Sequence, residues 1–145
     1  MIKYFLLPML AVLLAACGTT TVVAPKAPAS RPGMAVVEIG YLNHPPVLGV
    51  LTDVNKLLVS YGDRVSVSWH NFDTDDGNAF AKAKGLTEHT PVAIFINGSM
   101  QFTLNGRTVK FYSFPQGQGT GMVPEGGWTM EDLRHVLDEA TSKSS

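Results

Sequence analysis

The 145-residue chain has a single cysteine, Cys17. It therefore cannot close an internal disulfide or hold a pair of thiols for redox exchange, since both need two sulfurs. It has no excess of basic charge: 11 Lys and Arg stand against 12 Asp and Glu, and the net charge is −1. Without the first sixteen residues, which carry only Lys3, the net charge is −2. Electrostatic capture of nucleic acid needs a basic stripe, and none is present. The chain also lacks an apolar run of the roughly 20 residues that a membrane-spanning helix needs. Its apolar stretch over residues 5–14 is short and contains Pro8. There is no internal repeat and no motif that calls for a cofactor. What is left is 45% hydrophobic and 16% charged, the composition of one globular domain with a core of its own.

The first residues are MIKYFLLPMLAVLLAACGTT. A positive Lys3 followed by a short apolar run reads as a signal peptide over residues 1–16. The run ends in Leu14-Ala15-Ala16-Cys17, which resembles the lipobox of bacterial lipoproteins. That resemblance implies cleavage before Cys17, lipid on its thiol and new amino group, and a membrane anchor at the bacterial cell envelope. An acylated Cys17 leaves the mature chain with no free thiol. Residues 17–33 are rich in Pro, Thr and Ala with no helical or strand period. They read as a tether with a reach on the order of 50 Å, although Thr21-Val22-Val23 also allows a strand leading into the domain.

The domain is expected over residues 34–141. Residues 35–39 are β-rich. From Val47, apolar residues recur at Val50, Leu51, Val54, Leu57, Leu58 and Tyr61. Those steps of three and four make a helix with one buried face, stopped at Gly62. Val65, Val67 and Trp69 alternate with Ser66, Ser68 and His70, a strand that turns Trp69 toward the core. A short helix should follow, capped by Asp75 or Asp76 and closed by Gly85. Pro91 opens a buried strand, and Asn97-Gly98 and Asn105-Gly106 mark two hairpin turns. They bound strands over 100–104 and 108–114. After a glycine-rich loop, Thr129 and Asp132 form a capping box for a last helix whose buried face is Met130, Leu133, Val136, Leu137 and Ala140. The expected fold is an α/β domain: one mixed sheet of four to five strands, with helices on both faces and a parallel first pair of strands.

This order resembles the thioredoxin family over roughly residues 35–140. The stretch YLNHPPVLGVLTDVNKLLVSYGDRVSVSWHNFD, residues 41–73, lines up without a gap against the family segment from Trp-Cys-Gly-Pro-Cys to Asn-x-Asp. Asn71 and Asp73 fall on that last motif. Lys84-Gly85-Leu86 and Thr90-Pro91 match the segment before the third strand. In this register His44 and Val47 replace the two cysteines, and Pro46 keeps the family's proline. The resemblance thus implies the fold and the place of the site while removing thiol exchange.

The site so implied is the turn Asn43, His44, Pro45 and Pro46, faced by His89, Thr90 and Pro91, where the family's proline is cis. Asn43 is the expected helix N-cap, with the prolines in the first turn. Thr90 is placed to pair with an extended peptide by strand addition, and Pro45 with Trp69 or Tyr41 to line a groove. The function expected is a redox-inactive module that binds a protein or peptide at the envelope. Two alternatives are a metal or enzymatic site built on His44 and His89, with Glu88 as a further ligand, and a thiol–disulfide role that borrows a partner's cysteines. The glycine-rich run from Gln116 to Gly121 lacks the Lys and Ser/Thr of a phosphate loop and reads as a surface loop. Asp73, Asp75 and Asp76 lack the spacing of a calcium loop.

Overall fold

The computed structural model describes residues 34–87, 89–119 and 125–142. The signal peptide, Cys17 and the tether lie outside these residues, as does Glu88. The elements run β1 (Ala35–Tyr41), α1 (Pro45–Val59), a single 3-10 turn (Gly62–Arg64), β2 (Val65–Asn71), α2 (Asp75–Ala83), β3 (Val92–Ile96), β4 (Gln101–Leu104), β5 (Arg107–Lys110) and α3 (Met130–Ser142).

Strand β1 lies between β2, parallel to it, and β3, antiparallel to it. The βαβ unit is the one the sequence implies. A single sheet of four to five strands is not formed: β4 and β5 make a separate two-stranded sheet. The reason lies just after β5. The Tyr112 N–H turns back to the Lys110 carbonyl at 2.8 Å, and Ser113 takes a positive φ of 65°. Residues 111–113 still bond to β3, through Ile94 N–H to Phe111 O and Ser113 N–H to Val92 O. The kink leaves that pairing as an isolated bridge.

Odd-numbered residues of β1 and even-numbered residues of β3 face α1 and α3. Val37, Ile39, Ile94 and Ile96 join Val50, Val54, Leu133 and Leu137 in one buried cluster with Phe111, Phe114 and Trp128. Each of these side chains contributes about 1.5–3 kcal/mol on burial. Tyr61, at the end of α1, donates to Asp138 Oδ1 at 2.7 Å and fixes α1 against α3. Its burial, with that acidic partner, pushes its hydroxyl pKa up to about 12. Helix α2 covers the other face. Phe80 meets Phe95 edge-on, and Lys84 bonds to Glu38 of β1 at 2.6 Å. Glycine is required at Gly77, which packs on the Asn71 carbonyl, whereas at Gly40 a Cβ would push aside the tip of the Phe72 ring.

Local signals decide the ends of the elements. Asn97, Gly98, Asn105 and Gly106 all have positive φ, as two-residue hairpin turns require. The Thr129–Asp132 capping box forms in both directions, at 2.8 and 3.1 Å. Two caps differ from expectation. Thr74, not Asp75 or Asp76, caps α2 by accepting from Gly77 N–H; the two aspartates sit in the first turn, where they complement the helix dipole. His44, not Asn43, is the N-cap of α1.

Candidate functional site

The carboxyl ends of β1 and β2 lie side by side, because Tyr41 pairs with Asn71 in the parallel ladder. The chain leaves β1 through Leu42 and Asn43 and enters α1 at Pro45. Residues 43–46 are all exposed. Pro45 and Pro46 occupy the first helical positions, where a missing N–H costs nothing. His44 is extended, makes no side-chain capping bond, and starts the helix with its carbonyl, which accepts from Val47 and Leu48. Asn43 is held from outside the helix: its N–H donates to Asp73 Oδ2 at 2.9 Å. Asp73 is in turn oriented by Asn71, whose side-chain oxygen accepts from Asp73 N–H.

The turn and the 89–91 loop are neighbours. Leu42 N–H donates to Pro91 O at 3.0 Å. That bond places Leu42, just ahead of the turn, against Pro91. No peptide bond of the described residues is cis, Pro91's included. Thr90 is fully buried, and its N–H donates to Thr87 O at 3.2 Å. The donor that strand addition at Thr90 would need is already engaged within the loop. The Thr90 hydroxyl donates to the same Thr87 carbonyl at 2.9 Å and lies 3.2 Å from the Tyr112 hydroxyl. Thr87 joins this group 3.0 Å from Tyr112. Hydrogen bonds from Thr87 and then Thr90 lower the Tyr112 pKa against the opposing effect of burial. This hydroxyl cluster stiffens the loop under Pro91. Sequence reasoning missed it because the three residues come from two distant segments.

Two depressions flank the turn. The larger, about 530 Å³, opens beyond the strand ends and is lined by residues such as Leu42, Phe72, Asp73, Asn78, Lys82 and Thr87. The smaller, about 350 Å³, lies on the α1 side between Tyr41, Asn43, Leu48, Leu51 and Trp69. Tyr41 and Trp69 meet edge to face at 6.2 Å. Trp69 sits on the face the alternation implies, beside Ile39 in register, but it is 38% exposed and outside the core. Leu48 of α1, 43% exposed, stands next to it. Tyr41 and Trp69 therefore share one open depression. Pro45 is exposed beside it and is not part of its lining.

His44 and His89 are both exposed, and neither lines the cleft or the groove. Among the described residues no group of three His, Cys, Asp or Glu side chains is placed to hold a metal ion. The cleft offers apolar and amide surface with the Thr87 hydroxyl, one ammonium, Lys82, and one carboxylate, Asp73. Among the described residues that line it, no nucleophile is bonded to a base in the way covalent catalysis needs. No helix of the described residues is long and apolar enough to cross a membrane. Comparison with protein-family models, with curated proteins and with solved structures found no match.

Proposed function

We propose that this chain is a redox-inactive, thioredoxin-like lipoprotein, held at the bacterial envelope by lipid on Cys17, whose domain binds a protein or peptide partner. The observation that carries the binding reading is the exposed turn 43–46 with the Tyr41–Leu48–Trp69 groove beside it. Aromatic side chains with one apolar face and a polar tip, grouped at a depression, are what recognition surfaces concentrate. Support for the thioredoxin-like arrangement comes from the parallel β1–β2 pair joined through α1, the antiparallel β3, and the bond from Leu42 to Pro91. Its contacts are assigned to the groove and turn rather than to the Thr90 backbone, whose N–H is engaged.

The test is a crosslinking pull-down from envelope with the lipidated chain. Parent, Leu48→Ala with Trp69→Ala, His44→Ala, and a deletion of residues 116–127 are compared by quantitative mass spectrometry. Partners recovered by the parent should be lost with the groove variant and kept with the loop deletion. Equal recovery by all four removes the groove and the turn as the site. An insulin-reduction assay on residues 34–145 checks the thiol argument, and measurable turnover there would overturn it.

A further inference from the structure

Strand β2 is the last strand of its sheet, and among the described residues no isolated bridge involves it. An open edge presents a row of unpaired N–H and C=O groups, and proteins that leave one open blunt it with charge, proline, a bulge or short length. The sequence VSVSWHN has no Lys, Arg, Asp, Glu or Pro, and it pairs in unbroken register with β1 over all seven residues. Nothing in the strand itself blunts this edge.

The ladder decides which groups lie on it. Phe72 N–H donates to Tyr41 O at 2.8 Å, so the even-numbered residues of β2 turn their backbone groups to β1. The odd-numbered residues Val65, Val67, Trp69 and Asn71 turn theirs outward. Two of these outward groups are already used. Val65 N–H donates to Gly62 O at the foot of the strand. Asn71 O accepts from the Thr74 N–H and hydroxyl at its head. Left over are the N–H groups of Val67, Trp69 and Asn71 and the carbonyls of Val65, Val67 and Trp69, for which the described residues supply no partner.

This set is complementary to itself. A second copy can lie antiparallel across the edge with the two-fold axis at Ser68, so that Val67 faces its Trp69 and Val65 faces its Asn71. Val67 and Trp69 then exchange both bonds, as a hydrogen-bonded antiparallel pair does, and Asn71 N–H meets the Val65 carbonyl. Every leftover donor and acceptor is satisfied, with six bonds across the axis. The two groups already used, Val65 N–H and Asn71 O, are the two that would have met each other. An axis at Val67 or at Trp69 instead makes only four bonds and strands two donors and two acceptors. Charge favours the same direction. Asp73, Asp75 and Asp76 follow the head, all exposed, while Asp63 and Arg64 offset each other at the foot. An antiparallel copy sets each acidic head beside a neutral foot, whereas a parallel copy sets acid against acid.

We infer that the outer edge of β2 is a homodimer interface, where a second copy of this chain pairs antiparallel about Ser68. The two three-stranded sheets then become one sheet of six strands. Facing residues of a sheet stand on the same side, so both Trp69 side chains lie on the α1 side, about 7–8 Å apart as diagonal neighbours. The two Tyr41–Trp69 depressions open on one face of the dimer. The pairing itself needs neither the lipid nor the groove's role in the proposed function.

The experiment is mild oxidation of Ser68→Cys and of Ser66→Cys in the full chain in detergent micelles, with linked peptides identified by mass spectrometry. Ser68 faces its own counterpart in a non-hydrogen-bonded pair, with Cα atoms about 4.5 Å apart, within reach of a disulfide. Ser66 faces His70 of the second copy and stands about 13 Å from its own counterpart, beyond that reach. A 68–68 bridge should form in the first variant and no 66–66 bridge in the second. A link through Cys17 has its own mass and is not counted as either. In the parent chain, residue-resolved amide exchange at Val67, Trp69 and Asn71 should quicken on the order of tenfold on dilution. Exchange at Ser66, Ser68 and His70, whose amides are bonded to β1, should not change. Absence of the 68–68 bridge, or bridging at both positions alike, overturns the inference. So does exchange at the three outward amides that dilution leaves unchanged.

Discussion

Strands β2 and β3 both pair with β1, yet they live in different surroundings. All five residues of β3 are buried, while β2 is half-buried throughout and exposes a tryptophan. The difference comes from what lies beyond each strand. Residues 111–113 bond to the outer side of β3, and Trp128 packs edge-on against Phe111 at 5.5 Å. Beyond β2 there is no such layer among the described residues. The same central strand is thus flanked by a side built for stability and a side left for contact. The candidate groove lies on the second.

The largest test of this contrast is Trp128→Ala. Trp128 is fully buried, and its indole N–H lies within bonding distance of the Tyr112 and Ser113 carbonyls, at 3.2 and 3.3 Å. Its loss leaves a cavity and removes the indole bonds to both carbonyls. The expected cost is about 3–5 kcal/mol, read as a shift in the urea midpoint at unchanged slope. A cost near zero would mean that the layer over β3 does not hold the fold.

Next comes Lys84→Ala, which acts on both sides at once. Lys84 bonds to Glu38 of β1 and lies 4.6 Å above the Phe95 ring of β3. Its removal leaves the Glu38 carboxylate, 18% exposed, without its ammonium. That should cost about 1–3 kcal/mol by the same denaturant measurement. The double substitution with Glu38→Gln should recover part of the loss if the pair, rather than the lysine stem, is responsible.

How far the sequence foretold this contrast depends on the range of the interactions involved. Strong local chemistry was legible: two Asn-Gly turns, the Thr129–Asp132 box, and the α1 periodicity through Leu58. Choices between adjacent residues were not, so the α1 cap fell to His44 and the α2 cap to Thr74. The face of Trp69 was readable from alternation. Its exposure was not, because that depends on what tertiary packing leaves beyond β2, the last strand of its sheet. The division into two sheets rests on a kink at Tyr112 and Ser113, and no residue there announces it. The site's turn was visible as a proline-marked junction. The cleft beside it was not, since Phe72, Asn78, Lys82 and Thr87 come from separate segments.

Acid should separate the two sides by pH window. His70 of β2 stacks on Phe80 at 3.8 Å, and its burial, aided by Lys84 and opposed by Glu38, holds its pKa below 6.5. The unfolded chain then binds this proton more readily than the folded one. Stability is therefore lost as pH falls from about 6.5 toward the depressed folded value. Asp132 binds β5 to α3 through Arg107 at 2.6 Å. Burial raises its pKa, but bonds from Arg107 and Thr129 outweigh that and leave it below 3.8. Its contribution is present above 3.8 and lost as pH falls through the folded value. Amide exchange followed from pH 7 downward, corrected for intrinsic rates, should loosen around His70 first and around β5 and α3 only in stronger acid. His70→Gln should remove the first step and leave the second. Loosening in the reverse order would break the assignment of the two groups.

The smallest stability effect is expected at the most informative residue. Trp69 is as large as Trp128, and both are tryptophans at the α1 and α3 side of the sheet, so a size argument alone makes them equal. Trp69 is 38% exposed, however, and its ring meets the edge of Tyr41 beside Leu48 in an open depression. Trp69→Ala removes no sealed packing and orphans no acceptor, so unfolding should shift by no more than about 0.5 kcal/mol, the range of surface substitutions. The same change should abolish recovery of partners that depend on the groove, where a buried aromatic anchor can be worth about 2 kcal/mol or more in binding. Denaturant melts and pull-downs on the same pair of variants read both effects. A Trp69→Ala chain as destabilised as Trp128→Ala would show that the Trp69 side of β2 is sealed in the native protein, and would overturn its assignment to recognition. A chain that is both stable and fully competent for partners would leave the exposed tryptophan without a role in recognition.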